Sequence, residues 1–481
     1  MPSPSTLRSS YAWAGAGVLG GQTLLWVVSL WVARLLDPQD YGIVAMATVF
    51  VSVCQTCQDL GFGSAIIQQR DLDDHTLSAA FWALLVTAAT ATIFLSLLAP
   101  VIATLYHDER IVLVILVLAP TLVLTALRIV PYSLLAKRLD FANRTKAEIL
   151  SAASGSLLTI LMAWRGFGVW SLVAGAVLAE ACFCFLVYQL SSWRPHWNWS
   201  PKSLASLLHF GLPLTGASLL WQIYYQADFL VVGFLLGPVP LGIYTMAWRL
   251  AMLTTERVTG VFNKVSFSAF SALRDNPRAM ALHWLKLTEL VAWVSMPLLI
   301  GLMLVSDIFV KALLTDKWLP SVPVLRLLCV LALLRSLGTL FPHILNAMGD
   351  TRKIFMLNLV SVCILPAGFA LGALQAGLQG VAVTWIALYS CIFVWLFRRA
   401  LDLSGIRAQD FFSRVFPPLL ATGVMSAAVL GSSLVEFPSS VAVLTFRVGI
   451  GAFIYALCAT AWLLKTGQLR YAIAWLRSQT T

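Results

Sequence analysis

Fourteen apolar runs of about 20 residues cover this 481-residue chain from end to end, and they constrain its fold more than any other feature. A helix rising about 1.5 Å per residue crosses a hydrocarbon core of roughly 30 Å in about 20 residues. The runs lie near 14–36, 41–63, 77–99, 111–132, 148–164, 168–190, 207–236, 241–263, 287–310, 320–345, 354–374, 378–397, 415–434 and 441–464. Hydrophobic residues make up 59% of the chain and charged ones 11%, too few to coat a soluble surface. The expectation is an all-α polytopic membrane protein with about 14 transmembrane helices.

Alternating the connecting segments between the two sides of a membrane sorts the basic residues. Twenty-one Lys and Arg fall on the side that holds both termini, among them Lys137, Arg138, Arg144, Lys146, Arg352, Lys353, Arg398 and Arg399. Only Arg110, Arg165, Lys311 and Lys317 fall on the other. Basic loop residues stay cytoplasmic, which puts both termini on the cytoplasmic side and makes the span count even. The same placement explains a net charge of +11 without a nucleic-acid partner. The first run is too long for a cleaved signal peptide, and no small-residue cleavage site follows it. All eight cysteines fall in the runs. Cys54 and Cys57 have metal-site spacing but no second pair beside them, and read as small apolar packing. Outward loops are short, the longest near 310–320, which leaves no catalytic domain and argues against an enzyme.

The chain repeats itself. Leu35 to Ala47 matches Leu235 to Ala247 at seven of thirteen positions without a gap, and Gln22 matches Gln222 at the same offset. The matched Pro38/Pro238 and Gly42/Gly242 at a span-connecting turn carry more weight than matched Leu or Ala. Gly166 to Trp170 aligns with Leu378 to Ala382 at an offset of 212. The reading is two six-helix lobes, 1–200 and 201–400, with 401–481 adding two further helices and a cytoplasmic tail. Six is even, so both lobes enter the membrane in the same direction, as parallel repeats that rock against each other. The segment 191–203 reads as a cytoplasmic linker with Trp193, Trp197 and Trp199 at the membrane interface.

Polar groups inside spans need an escape route or a role, because a charge near the bilayer centre costs about 3 kcal/mol on insertion scales. Arg34, Arg128, Arg326 and Arg447 lie near span ends and can snorkel. Arg249 and Arg335 lie deeper. Gln222, Tyr225 and Gln226 share one face of the seventh span at i, i+3, i+4 spacing, and Asp228 follows them. Asp228 precedes Leu236 by eight residues and Arg249 follows Leu241 by eight, so both lie about 12 Å below the outer surface and could pair. Glu256 lies seven residues past Arg249 on the same face, Arg335 heads a stripe with Thr339, Pro342 and Asn346, and Glu180 is near mid-membrane. Thr121, Thr125, Arg128 and Tyr132 form a similar stripe. Two readings stay open: an ion-pair network that locks helices, or a wet cavity that accepts an anionic headgroup and a coupling cation.

Asp37 to Gly42 followed by Asp59 to Gln68 resembles the first spans of Wzx-like polysaccharide flippases. Asp228 to Gly233, Leu241 to Tyr244, Ser266 to Asp275 and Asn346 to Asp350 extend the resemblance, in order, over roughly 10–400. It is similar to the exopolysaccharide and colanic-acid-type exporters of a superfamily that includes multidrug/toxin antiporters and lipid II flippases. The resemblance implies translocation of an undecaprenyl-diphosphate-linked oligosaccharide from the cytoplasmic to the outer leaflet, with a polysaccharide polymerase and assembly proteins as partners. On that basis Arg249 and Arg335 are candidates for the diphosphate, since Arg offers bidentate donors to phosphate. Gln222, Tyr225 and Gln226 are candidates for the glycan, and Asp228, Glu256 and Glu180 for coupling to Na⁺ or H⁺. No cofactor or metal is implied. The last two spans would line the exit for the polyprenyl tail. A multidrug or cation antiporter of the same superfamily is the alternative; it would favour acidic over basic cavity residues.

Overall fold

The computed structural model describes residues 28–69, 72–197, 201–272, 276–432 and 439–466. Arg8, Gln22, Arg70, Trp199, Arg274, Arg470 and Arg477 lie outside them, as do the side chains of Lys202, Arg257 and Lys264. Among the described residues every regular element is helical. Contacts divide the chain into two units, Met1–Thr245 and Met246–Thr481. The lobes 1–200 and 201–400 are a division by repeat, not by packing.

The first unit holds α1 (Pro38–Gln58), α2 (Phe62–Gln68), α3 (Asp74–Tyr106), α4 (Arg110–Leu118), α5 (Thr121–Lys137), α6 (Phe141–Trp164), α7 (Val169–Leu190) and α8 (Pro201–Leu236). α9 (Pro238–Ala272) begins in this unit and ends in the second. Local chemistry sets the helix starts. Pro38 opens α1 where its missing N–H is not needed, and Asp40 accepts the Asp37 N–H at 3.0 Å. Asp73 caps α3 by accepting the Thr76 N–H at 3.0 Å, and Asp140 caps α6 through Asn143 at 3.2 Å. Phe62, Leu77, Phe81, Leu84, Val130 and Trp193 form a core beneath α2, α3 and α5. Trp193 is therefore buried in packing, edge-on to Phe81 at 5.9 Å, and not at the membrane interface as its sequence neighbourhood suggests. The backbone beside it is tied down where His196 N–H donates to Ser78 at 3.1 Å.

The second unit holds α10 (Pro277–Leu313), a 3-10 turn (Asp316–Ser321), α11 (Val322–Gly338), α12 (Phe341–Ala347), α13 (Thr351–Ser404), α14 (Ala408–Gly431) and α15 (Ser440–Lys465). Trp284, Phe341 and Phe411 anchor its main core. α14 and α15 pack on α10 through Val305, Met425, Val429 and Leu444. The turn Asn346 to Asp350 is held by Arg399, whose Nε donates to Asp350 at 2.6 Å.

Eleven helical stretches among the described residues are long and apolar enough to cross a membrane. The difference from fourteen runs has three physical sources. Much of the first run lies outside the described residues. α9, which carries Arg249, Glu256, Arg257 and Lys264 along its length, is not among the eleven. α13 counts once, yet Ala376 and Gly377 break it into two helices. Leu97, Leu374 and Phe453 leave 75%, 72% and 66% of their surfaces uncovered, as side chains facing hydrocarbon do.

The two turns matched in sequence meet in the structure. A Cβ on Gly42 would lie 1.8 Å from the Pro238 carbonyl oxygen, and one on Gly242 would lie 1.7 Å from the Pro38 carbonyl oxygen. The two matched turns thus pack reciprocally, each glycine against the other repeat's proline. Leu139 and Gly349 both adopt left-handed φ, 57° and 87°, one residue before Asp140 and Asp350. Gly168 (φ 54°, ψ −128°) and Gly377 (φ 56°, ψ −136°) share a conformation that a side chain resists. The two glycines are 209 residues apart, whereas the sequence match at an offset of 212 pairs Gly168 with Gly380. Small residues also let the paired helices meet: Gly155 and Gly175 between α6 and α7, and Gly372 and Gly380 across the α13 break.

Candidate functional site: a charged cavity among apolar helices

A cavity of about 490 Å³ lies between α1, α2, α5, α6 and α8, within the first unit. Its wall includes Gln55, Asp59, Ser64, Thr125, Arg144 and Ser218. Behind the wall runs a connected polar network. Gln55 Nε2 donates to Thr125 Oγ1 at 2.9 Å, and Thr125 Oγ1 donates to Glu180 Oε1 at 2.8 Å. Arg128 Nε donates to the same Glu180 oxygen at 2.6 Å, and its guanidinium lies 4.4 Å over the Phe183 ring. The pattern then repeats one turn down. Arg144 Nε donates to Tyr132 Oη at 2.7 Å and to Glu148 at 3.3 Å, with its guanidinium 4.4 Å over the Tyr132 ring. Tyr132 Oη in turn donates to Glu148, and its ring meets Phe183 edge-on at 5.4 Å. Each arginine is thus braced at Nε by a carboxylate and across its face by an aromatic ring. Arg128 is a partnered side chain and does not need to snorkel. Asp59 accepts the Gly63 N–H at the end of α1.

None of the eight residues singled out from the sequence lines this cavity, although Glu180 stands one hydrogen bond behind its wall. Gln226 donates to Ser52 at 3.4 Å, and Tyr225 stacks on Trp221 at 6.4 Å. Gln222 is half-buried on the same helix. Asp228 is fully buried; it takes the Tyr244 hydroxyl at 2.6 Å and the Phe229 N–H at 2.9 Å. Arg249 and Glu256 are exposed on α9. Arg335 lies in an aromatic box, its guanidinium carbon 5.2 Å from the Trp385 ring centre, 5.6 Å from Trp248 and 5.8 Å from Tyr389. Such contacts stabilise a cation away from water. Arg326, grouped by sequence with the snorkelling residues, instead holds Asp307 and donates to Ser306 at 3.0 Å.

Asp59 lies inside the run 41–63 and was not distinguished there, while Arg144 lies outside the run 148–164 that Glu148 opens. α6 begins at Phe141, seven residues before that run, so Arg144 is a helix residue in phase with Glu148 and not a loop residue. Their i, i+4 spacing was the signal that could have found them. A second cavity, about 610 Å³, lies in the second unit between α10, α14 and α15. Leu282, Leu290, Trp293, Tyr455 and Leu463 line it, with Lys286 and an Arg414–Glu289 pair at 3.0 Å.

The model of the family described as "Polysaccharide biosynthesis protein" matches residues 31–323. The chain is 27% identical over 397 residues to the teichuronic acid biosynthesis protein TuaB of Bacillus subtilis, covering 80% of each. It is 25% identical to the lipopolysaccharide biosynthesis protein WzxC of Escherichia coli, covering 74% of this chain and 73% of that one. Its fold is similar to the lipid II flippase MurJ in an inward closed conformation, with a TM-score of 0.74 and 14% identity over 93% of this chain and 98% of that one. An inward-facing multidrug resistance MATE transporter aligns with a TM-score of 0.63 and 18% identity over 80% and 96%. The chain is a polytopic membrane protein with the fold of lipid flippases and multidrug transporters, and it belongs to the polysaccharide biosynthesis protein family.

Proposed function

We propose that this chain is the flippase for an undecaprenyl-diphosphate-linked oligosaccharide, moving it from the cytoplasmic to the outer leaflet of a bacterial inner membrane by alternating access. The observation that carries this reading is the 490 Å³ polar cavity built into lipid-embedded helices of a polysaccharide biosynthesis protein. Ionisable side chains inside membrane helices are costly to bury and commonly mark substrate pathways. A sugar-bearing headgroup is such a cargo, while its polyprenyl tail can stay in hydrocarbon. The cavity between α10, α14 and α15, mostly apolar apart from Lys286 and the Arg414–Glu289 pair, offers the tail a path. Both termini face the cytoplasm in this reading, and the lobes 1–200 and 201–400 alternate their exposure. Arg335 and Arg249 are the diphosphate candidates, and Gln222, Tyr225 and Gln226 on α8 are the glycan candidates. Asp228, Glu256 and Glu180 are candidates for Na⁺ or H⁺ coupling.

A multidrug antiporter shares the fold, but the relatives matched by sequence are teichuronic acid and lipopolysaccharide biosynthesis proteins. Deleting the gene tests the proposal. Surface polysaccharide should disappear and lipid-linked oligosaccharide should accumulate in the inner leaflet, with both reversed by the wild-type gene. Normal polysaccharide display in the deletion strain would contradict the assignment.

A further inference from the structure

The charge balance of the first unit's cavity identifies which part of such a cargo it suits. Three carboxylates, those of Asp59, Glu148 and Glu180, stand in or behind its wall against two guanidinium groups, those of Arg128 and Arg144. A diphosphate would enter beside Asp59 with no surplus of positive charge to hold it. Neutral hydroxyls face no such cost. They donate and accept, and the wall offers both capacities. Asp59 has acceptor oxygens free beyond the one N–H it takes. The terminal nitrogens of Arg144 make no hydrogen bond to the described residues, because Nε and the ring face already hold the group in place. Among the described residues, Ser64, Ser133 and Ser218 also line the cavity with no hydroxyl committed to a protein partner. Pockets for small molecules span about 300–1,000 Å³, and this one falls within that range.

We propose that this cavity is a sugar-recognition site, taking neutral sugar residues of the lipid-linked glycan while the diphosphate is held elsewhere. The proposal rests on the transport reading above. Asp59 accepts from one sugar hydroxyl, Arg144 donates to another, and the serines complete the set. Because Arg144 is fixed at Nε and by Tyr132, its donors are directed before the ligand arrives, which favours one arrangement of hydroxyls over its epimers.

The test uses full-length protein in lipid nanodiscs and two probes. One is undecaprenyl diphosphate without sugar; the other is the same lipid carrying the oligosaccharide isolated from the producing cell. Binding is measured for the wild type, for Asp59→Asn and for Ser64→Ala/Ser218→Ala, the last keeping every charge should Asp59→Asn fail to fold. The wild type should bind the glycosylated lipid about tenfold or more tighter than the bare lipid. Both variants should lose most of that preference and keep their affinity for bare lipid. Equal loss for both lipids would place the diphosphate in the cavity and overturn the proposal. An unchanged preference in the serine variant and in any folded Asp59→Asn would remove the cavity from recognition. A wild type that binds neither lipid would overturn the transport reading itself, and the sugar site with it.

Discussion

Replacing Gly42 by alanine would test the reciprocal turn directly. A Cβ there would lie 1.8 Å from the Pro238 carbonyl oxygen, 2.6 Å from its carbon and 3.0 Å from its Cα. Contacts below 3.0 Å essentially do not occur for real Cβ atoms, so the two turns must separate by more than 1 Å. The opposing atoms are backbone, so no side-chain rotation can relieve them. Overpacking of close-packed elements costs about 1–3 kcal/mol, and a backbone-on-backbone overlap belongs near the upper end. Gly242→Ala meets Pro38 at 1.7 Å and should cost a similar amount. Both glycines press on one crossing, so the separation forced by either relieves the other. The double variant should therefore lose little more than one single variant, a coupling of about 1–3 kcal/mol. Scanning fluorimetry of the four purified proteins in one detergent measures this. Fully additive losses, or single variants as stable as the wild type, would refute the reciprocal contact.

Further outcomes are expected elsewhere. Arg335→Ala should express normally yet stop surface polysaccharide display, with Lys at 335 restoring part of it because charge survives without bidentate geometry; wild-type export by the alanine variant would reduce Arg335 to a packing role. Hydrogen bonds from Thr76 hold the Asp73 carboxyl below its ordinary value. That cap's contribution is thus fully present above about pH 4 and is lost as pH falls through the lower folded value. Exchange at the Thr76 amide, corrected for its intrinsic rate, should accelerate only below about pH 4; flat protection down to pH 2 would contradict the cap. Gln409→Cys, exposed just inside α14, should react with impermeant maleimide only in inside-out vesicles, and labelling in intact cells would reverse the orientation.

Much of the fold was legible because lipid imposes one rule on every span: about 20 apolar residues, all helical. The repeat was legible at Pro38/Pro238 and Gly42/Gly242, where a Cβ on either glycine would overlap the opposite turn's backbone. Near Gly168 the sequence match points to Gly380, whereas the shared backbone conformation is at Gly377, whose sequence neighbours are unlike those of Gly168. The site was less readable. Apolar runs mark where lipid begins, not where helices begin, so Arg144 was counted as a loop residue and its pairing with Glu148, the first residue of the run, went unseen. Arg128 stood near a span end, and sequence distance from water does not reveal that Glu180 lies on the facing helix. Arg335 stood out as deep, but its aromatic box is assembled from α9, α11 and α13 and has no local signature. Trp193 was misplaced because a Trp in a polar stretch between spans has the composition of an interface residue whether or not it packs into a core.

The central claim is translocation of a lipid-linked glycan, and reconstitution measures it most directly. Purified protein in liposomes would be given polyprenyl-diphosphate oligosaccharide with a labelled sugar, and transfer between leaflets would be followed by the fraction a membrane-impermeant glycosidase can reach. The account predicts that the wild type speeds this transfer well above protein-free liposomes and that Arg335→Ala lowers it. Transfer no faster than in protein-free liposomes, by protein shown to be folded and with Na⁺ and pH gradients supplied in turn, would contradict it.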